Sequence, residues 1–480
     1  MNKIVSYFKI LWGKEKLAML SDFFKSIRKD FIHTLQLSFP IILGQVGSVL
    51  MGISDTLMLG NISKEAVAAS GIGNQIYFLF TVLGMGTIAA MAPMIATSKG
   101  AKNDKECGEI LRTGIELGFL ISIVICSIMF VISENFQWFH QPPAITTLVQ
   151  SYLRILTVST IPFMLFLALK QFSDGLSFTK PAMVITLIAV LLNIGLNWIL
   201  IYGHFSFPAM GIKGAAISTL VSRIMMALMM VVYVFRQKSY TSFLPPLIST
   251  FNTFPLIVKI LKVGLPGGLQ LFFEVGAFAG AAILVGWIGT DELAAHQIVL
   301  GLAALTYMMS AGISVSGSIR VGNAFGQGDK MKIKQTGLSA IFLVGIFMLC
   351  SCLIFIIYNE ELVLLFIKDH SVVYTAASVL MIAGLFQFSD GVQVVALGIL
   401  RGIEDVNIPT VITLLAYWIV GLPVGYILGF VFNLGIQGIW IGLLIGLTTS
   451  AILLTSRFYI LVNKDRTKTY QATKLVKQDH

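Results

Sequence analysis

Charge is scarce in this chain: 12% of its 480 residues are Asp, Glu, Lys or Arg, against 56% hydrophobic residues. So few charges cannot clothe that much apolar side chain in a water-facing shell, so lipid must solvate much of the surface and a soluble globular protein is excluded. Cysteine is nearly missing. Cys107, Cys126, Cys350 and Cys352 lie in or beside apolar segments without metal-ligand spacing, which argues against a disulfide framework and leaves them as packing residues. The chain has no HExxH, no GxSxG elbow and no Gly-rich phosphate loop of the P-loop kind. Metal-assisted hydrolysis and ATP use therefore lack their residues, and no enzyme activity or cofactor is expected. No cleavable leader is expected, because the basic start "FFKSIRKDF" is amphipathic and has no compact apolar core before a small-residue cleavage site.

What the chain has is long apolar runs. Each is about 20 residues, enough to cross a hydrocarbon core as a helix. Twelve spans are predicted at 36–58, 68–95, 107–131, 146–169, 181–202, 210–235, 258–287, 293–318, 335–358, 372–398, 408–430 and 436–462. The fold class is an all-α integral membrane protein, since irregular backbone is not tolerated against lipid. Basic residues set the orientation. Lys3, Lys9, Lys14, Lys16, Lys25, Arg28 and Lys29 precede the first span, and Lys464, Arg466, Lys468, Lys474 and Lys477 follow the last. Alternate loops such as "TSKGAKNDKE" and "FRQKSYTSFLPP" are basic, whereas "ISENFQWFHQPPAITT" and "GFVFNLG" carry no Lys or Arg. Both termini are thus expected in the cytoplasm of a bacterial inner membrane, and the net charge of +10 belongs to topology, with no nucleic-acid partner implied.

The chain also repeats itself. Pro40 in "LSFPIILGQ" and Pro266 in "VGLPGGLQL" are 226 positions apart, and the same offset carries Gly60 to Gly286, Ile62 to Ile288, Ala68 to Ala294 and Gly100 to Gly326. Farther on the register slips slightly, with Pro181 facing Pro409 and "MGIKGAA" facing "LGIQGIW". The pentapeptide "QFSDG", present at 171–175 and 387–391, is out of step and reads as coincidence. The expected organisation is a basic segment (1–35), a six-helix lobe (36–235), a linker (236–257) with Pro245, Pro246 and Pro255 as a flexible joint, a second six-helix lobe (258–462) and a basic tail (463–480). Six is even, so the lobes are parallel repeats about an axis along the membrane normal, flanking a central cleft; this is a transporter architecture.

Polar residues inside the spans should then mark the route, because a deep carboxylate costs roughly 2.5–3.5 kcal/mol even on the lenient insertion scale. Counting helix rise puts Glu274 roughly 18 Å from Lys262 and Asp390 roughly 16 Å from Arg401, both near the midplane. Two carboxylates at one depth can hold a monovalent cation such as sodium or share a proton. In the first lobe Asp55 lies nearer the outer face, as do Asn193 and Asn197, whose spacing of four places both amides on one helix face. The bland alternatives are interhelical glue for the Asn pair and an interfacial helix end for Asp55. His296 reads as a hydrogen-bonded packing residue or a proton relay, and Arg154 and Glu116 as a structural pair between neighbouring spans.

"FPIILGQVGSVLMGISDTLMLG", "LQLFFEVGAF", "AAHQIVLG", "IRVGNAFGQGD", "DGVQVVALGILRG" and "AYWIVGLPVGY" resemble the multidrug and toxic compound extrusion family, in its NorM type, over about 35–460. The resemblance implies a twelve-helix antiporter that expels small organic, often cationic, molecules while sodium ions or protons enter. By the same resemblance Glu274 and Asp390 match the family's cation-coupling residues, and Asp55, Asn193 and Asn197 its first-lobe substrate- or proton-linked cluster. The archaeal branch carries an acidic residue where this chain has Asn197, which favours the NorM type. Its expected partners are small-molecule substrates and membrane lipid, and the working unit a monomer. The alternatives are a lipid-linked oligosaccharide flippase of the same superfamily, which would show a basic cleft where the deep charges here read as acidic, and a membrane-embedded enzyme.

Overall fold

The computed structural model describes residues 2–139, 142–244 and 253–463, with side chains from residue 30 onward. The linker residues Pro245 and Pro246, the tail from residue 464 and the side chains of the first basic segment lie outside the described residues. The helices are α1 (Asn2–Gly60), α2 (Lys64–Ala89), α3 (Met91–Gly100), α4 (Asp104–Glu134), α5 (Pro143–Val158), α6 (Thr160–Gly175), α7 (Lys180–Tyr202) and α8 (Ile212–Arg236). They continue as α9 (Phe254–Gly286), α10 (Thr290–Gln327), α11 (Lys330–Ile357), α12 (Asn359–Leu364), α13 (His370–Gly402), α14 (Asn407–Leu414), α15 (Leu422–Tyr426) and α16 (Gly435–Asn463). Among the described residues there is no strand. Eleven stretches are long and apolar enough to span a bilayer, α2 and α3 counting as one, and the bent pair α5–α6 makes twelve.

Local chemistry fixes the helix ends. Ser63, Asn103 and Asp329 accept from the backbone amides of Ala66, Glu106 and Lys332, three residues on, so they cap α2, α4 and α11. Gly328, at φ +72°, stops α10 in the left-handed region that glycine favours, nine residues past the predicted end of that span. The α5–α6 bend of 41° falls at Ser159. Its cause is Pro162, which cannot donate to the Val158 carbonyl four residues back. Between α14 and α16 the chain passes through π-helical turns at Leu415–Gly421 and Ile427–Val431. There Gly421, Gly425 and Gly429 face Gly446, Gly442 and Gly438 of α16 backbone to backbone, the close approach that small residues at every fourth position permit.

Three large cores form. One joins buried residues from Leu59 to Ile260, and the others, from Ala277 to Val462, belong to the second half. Between them runs a seam of α1, α2 and α3 against α9 and α10, with Ile41, Ala92, Ala96 and Ile319 as its apolar centre. It lies toward the face where α1 enters and the linker joins the lobes, called here the linker face. The seam follows the repeat. Gly86 packs on Gly268 and its counterpart Gly312 on Ile42, while Gly100 packs on Asn323 and its counterpart Gly326 on Thr97, every pair of partners again 226 apart. Arg320 completes it by reaching Asp30 and Thr34 of α1. The described part of the linker is tethered, too: Tyr240 is buried against Phe172 and Phe178, its hydroxyl 2.7 Å from Ser173 Oγ.

Candidate functional site

The structure gathers the sequence-predicted residues into two clusters, one inside each lobe. In the second lobe Glu274 of α9 and Asp390 of α13 are 4% and 3% exposed, and their charges are close enough to act on each other. Tyr307 of α10 lies beside Glu274. Asp390 Oδ1, buried, has no hydrogen-bond partner among the described residues. Neutral amides surround the pair. Gln387 accepts from Thr306 at 2.8 Å and Gln393 from the Tyr417 hydroxyl at 2.8 Å, while the Nε2 groups of both remain unpartnered. One turn below Glu274, Gln270 accepts from Arg401 Nη2 at 3.2 Å. Phe278, Phe386, Tyr417 and Trp440 close one wall edge-to-face.

In the first lobe Asn197 Nδ2 donates to Asp55 Oδ1 at 2.5 Å and Thr219 Oγ1 to Oδ2 at 3.1 Å. Asn193 Oδ1 accepts from the same Asn197 amide at 3.3 Å, so the i, i+4 pair shares one face and one network. Asn193 Nδ2 and Asn197 Oδ1 are buried without partners. One turn beyond Thr219, Arg223 Nη1 donates to the Tyr77 hydroxyl and to Ser159 Oγ, each at 2.6 Å. Its guanidinium carbon lies 5.0 Å from the Tyr77 ring centroid and 4.8 Å from that of Phe163.

The pairing of Arg154 with Glu116 and the acidic reading of the deep charges are corrected. Arg154 pairs with Glu134 at 2.7 Å and Glu116 with Arg112 at 3.0 Å, because a neighbour one helical turn away, or across the adjoining loop, is nearer than the partner proposed from sequence. The deep charges are not all acidic, since Arg223 and Arg401 also point into the lobes. His296 Nδ1 accepts from Trp440 Nε1 at 3.2 Å in a fully buried setting. Of the two "QFSDG" copies, the first ends α6 with Asp174 bound to Lys170 at 2.8 Å, and the second lies within α13 and supplies Asp390. A carboxylate-centred reading passed over Arg223, whose signal was available: it is the only charged residue between Lys213 and Arg236, roughly 15 and 20 Å away by helix rise. Tyr307 and Tyr417 carried no signal among so many aromatic residues.

The MatE family model matches residues 40–199 and 266–427, two stretches that open on the repeated prolines. The Multidrug resistance protein NorM of Aliivibrio fischeri is 33% identical over 442 residues, covering 90% of this chain and 94% of that protein. The Multidrug resistance protein MdtK of Yersinia enterocolitica is 34% identical over 429 residues, covering 88% and 94%. Among solved structures, the eukaryotic MATE transporter AtDTX14 superposes with a TM-score of 0.84 at 20% identity, covering 94% of this chain and 99% of that one. An outward-facing multidrug resistance MATE transporter of the MOP superfamily also gives 0.84 at 20% identity, covering 90% and 96%. With a family model on both halves and relatives a third identical along nearly its whole length, this chain belongs to the MatE family.

Proposed function

We propose that the chain is a multidrug efflux antiporter that exports small organic compounds and takes in sodium ions or protons through Glu274 and Asp390. One observation carries the coupling assignment: two carboxylates lie buried in one lobe within reach of each other's charge, and one oxygen of Asp390 has no hydrogen-bond partner among the described residues. Two anions cannot remain bare in such a place, because the Coulomb repulsion and the lost hydration both oppose it. A proton or a monovalent cation balances them, and the neutral oxygens of Tyr307, Gln387 and Gln393 nearby suit either. Loading neutralises the pair and unloading restores its charge, so the two directions of a gradient favour different lobe arrangements.

In this reading Asp55, Asn193 and Asn197 form the substrate- or proton-linked cluster of the first lobe. Both termini face the cytoplasm of a bacterial inner membrane, following the Lys and Arg bias, and the working unit is a monomer in lipid. The lobes, 36–235 and 258–462, act as the two moving bodies. The test is efflux from proteoliposomes under a sodium gradient alone and then a pH gradient alone. Glu274→Gln and Asp390→Asn should each abolish gradient-driven efflux in a folded, inserted protein. Transport at the parental rate in both variants would place the coupling site elsewhere.

A further inference from the structure

Asp55 and Arg223 hold opposite charges in one lobe without neutralising each other. Each oxygen of Asp55 is met by a neutral donor, Asn197 or Thr219, and Arg223 by two neutral hydroxyl oxygens and two ring faces. Among the described residues no ion pair joins the two, although they are near enough for the charge of Arg223 to act on Asp55. The spacing of four between Thr219 and Arg223 puts both on the inward face of α8, away from exposed Ile224 and Met225.

The guanidinium is also used in an uneven way. Nη1 makes both of its bonds, whereas Nε and Nη2 have no partner among the described residues, and the side chain stays partly open. Nε and Nη2 form the parallel edge that grips a carboxylate with two hydrogen bonds. An arginine kept only to brace the α5–α6 bend would need the Ser159 bond, but not a free fork with two aromatic rings beside it. Resting such a group inside a membrane lobe is costly unless a partner completes it.

We infer that Arg223 is a carboxylate-binding anchor, and that the first lobe takes aromatic zwitterions whose carboxylate meets the Nε–Nη2 edge while their ammonium group is drawn to Asp55. A lone guanidinium suits a monoanionic carboxylate; a phosphate dianion would call for further positive charge. The Tyr77 and Phe163 rings suit a flat aromatic body beside the fork. A ligand carrying only a cation brings nothing to complete the Arg223 fork, so the same residue ranks zwitterions above their esters.

This inference rests on the efflux reading above. Its test uses the full-length protein in detergent and, as probes, a rhodamine with a free ring carboxylate and the same dye as its methyl ester. The parent should bind the free acid about tenfold more tightly or better, the range of a charge-assisted bidentate contact. Arg223→Gln should erase that preference by weakening the acid and sparing the ester, and Arg223→Lys, which keeps the charge but loses the fork, should retain part of it. Equal affinities for the two dyes in the parent would overturn the inference alone, and that comparison needs no variant to fold. Equal weakening of both dyes by Arg223→Gln would reduce Arg223 to a brace for the bend and overturn it as well. Binding of neither dye would overturn it together with the efflux reading.

Discussion

Gly86→Ala adds one methyl group to the seam between the lobes, where the structure leaves no room for it. A Cβ there would meet the Cα of Gly268, its nitrogen at 2.7 Å and the Gly267 carbonyl carbon at 3.2 Å. All are backbone atoms of a helix, so no side chain can rotate away. Carbon atoms rest at roughly 3.5–4.0 Å, so α2 and α9 must part by about 1 Å. Overpacking of this kind costs about 1–3 kcal/mol, which shifts a two-state equilibrium about 5- to 150-fold. The cost falls on the arrangement sealed at the linker face, since parting the lobes there relieves it. With the four native cysteines replaced, spin labels at Lys105→Cys and Lys332→Cys report the distance across that face. The expected result is a distribution moved toward longer distances in Gly86→Ala. Gly301→Ala is the control: nothing lies within 4 Å of its new methyl group, and it should leave the distances unchanged. Superimposable distributions for Gly86→Ala and parent would refute the argument.

Asn197→Ala removes the 2.5 Å bond to Asp55 and should cost about 1.5–3 kcal/mol, the range for a hydrogen bond to a charged group; an unchanged thermal midpoint and unchanged efflux would show that the network does not matter. Arg457→Gln breaks a two-bond pair with Asp405, at 2.6 and 2.8 Å, and should lower stability by about 1–2 kcal/mol in detergent melts, with Arg457→Lys recovering only part because it loses the fork. Tyr240→Phe should cost about 1 kcal/mol through its lost contact with Ser173, and Tyr240→Ala about 3–5 kcal/mol through the buried ring it vacates. Equal midpoints for those two variants would mean that the ring does not hold the linker to the lobe.

Span count, repeat and buried carboxylates were all legible in the sequence, because a bilayer makes each conspicuous. Apolar length marks a crossing, and a charge in mid-span is rare enough to notice, as at Glu274 and Asp390. Legibility ended where partners are chosen in three dimensions. Arg154 follows both Glu116 and Glu134 of α4 in sequence, and only the packing of α4 on α5 selects Glu134 over Glu116. Arg223 stands out as a lone mid-span cation, but its partners Tyr77 and Ser159 lie 146 and 64 positions away in the chain, and only folding brings them to it. The helix ends past 95 and 318 were missed because glycine and small residues continue a buried helix where a hydropathy count falls off. Tyr307 could not have been singled out, as its role depends on which of the many aromatic residues reaches Glu274.

The seam described above has the reciprocity of a homodimer interface. Gly100 on Asn323 and Gly326 on Thr97 are one contact made twice, as in an isologous pair in which residue i touches j and j touches i. In a true dimer of six-helix chains such a contact would have to be strong enough to hold two separate molecules together. Joining both copies in one polypeptide replaces dilution with an effective concentration in the millimolar range. The interface can then be weak, and a weak interface is one that two halves can leave and regain many times without ever losing each other.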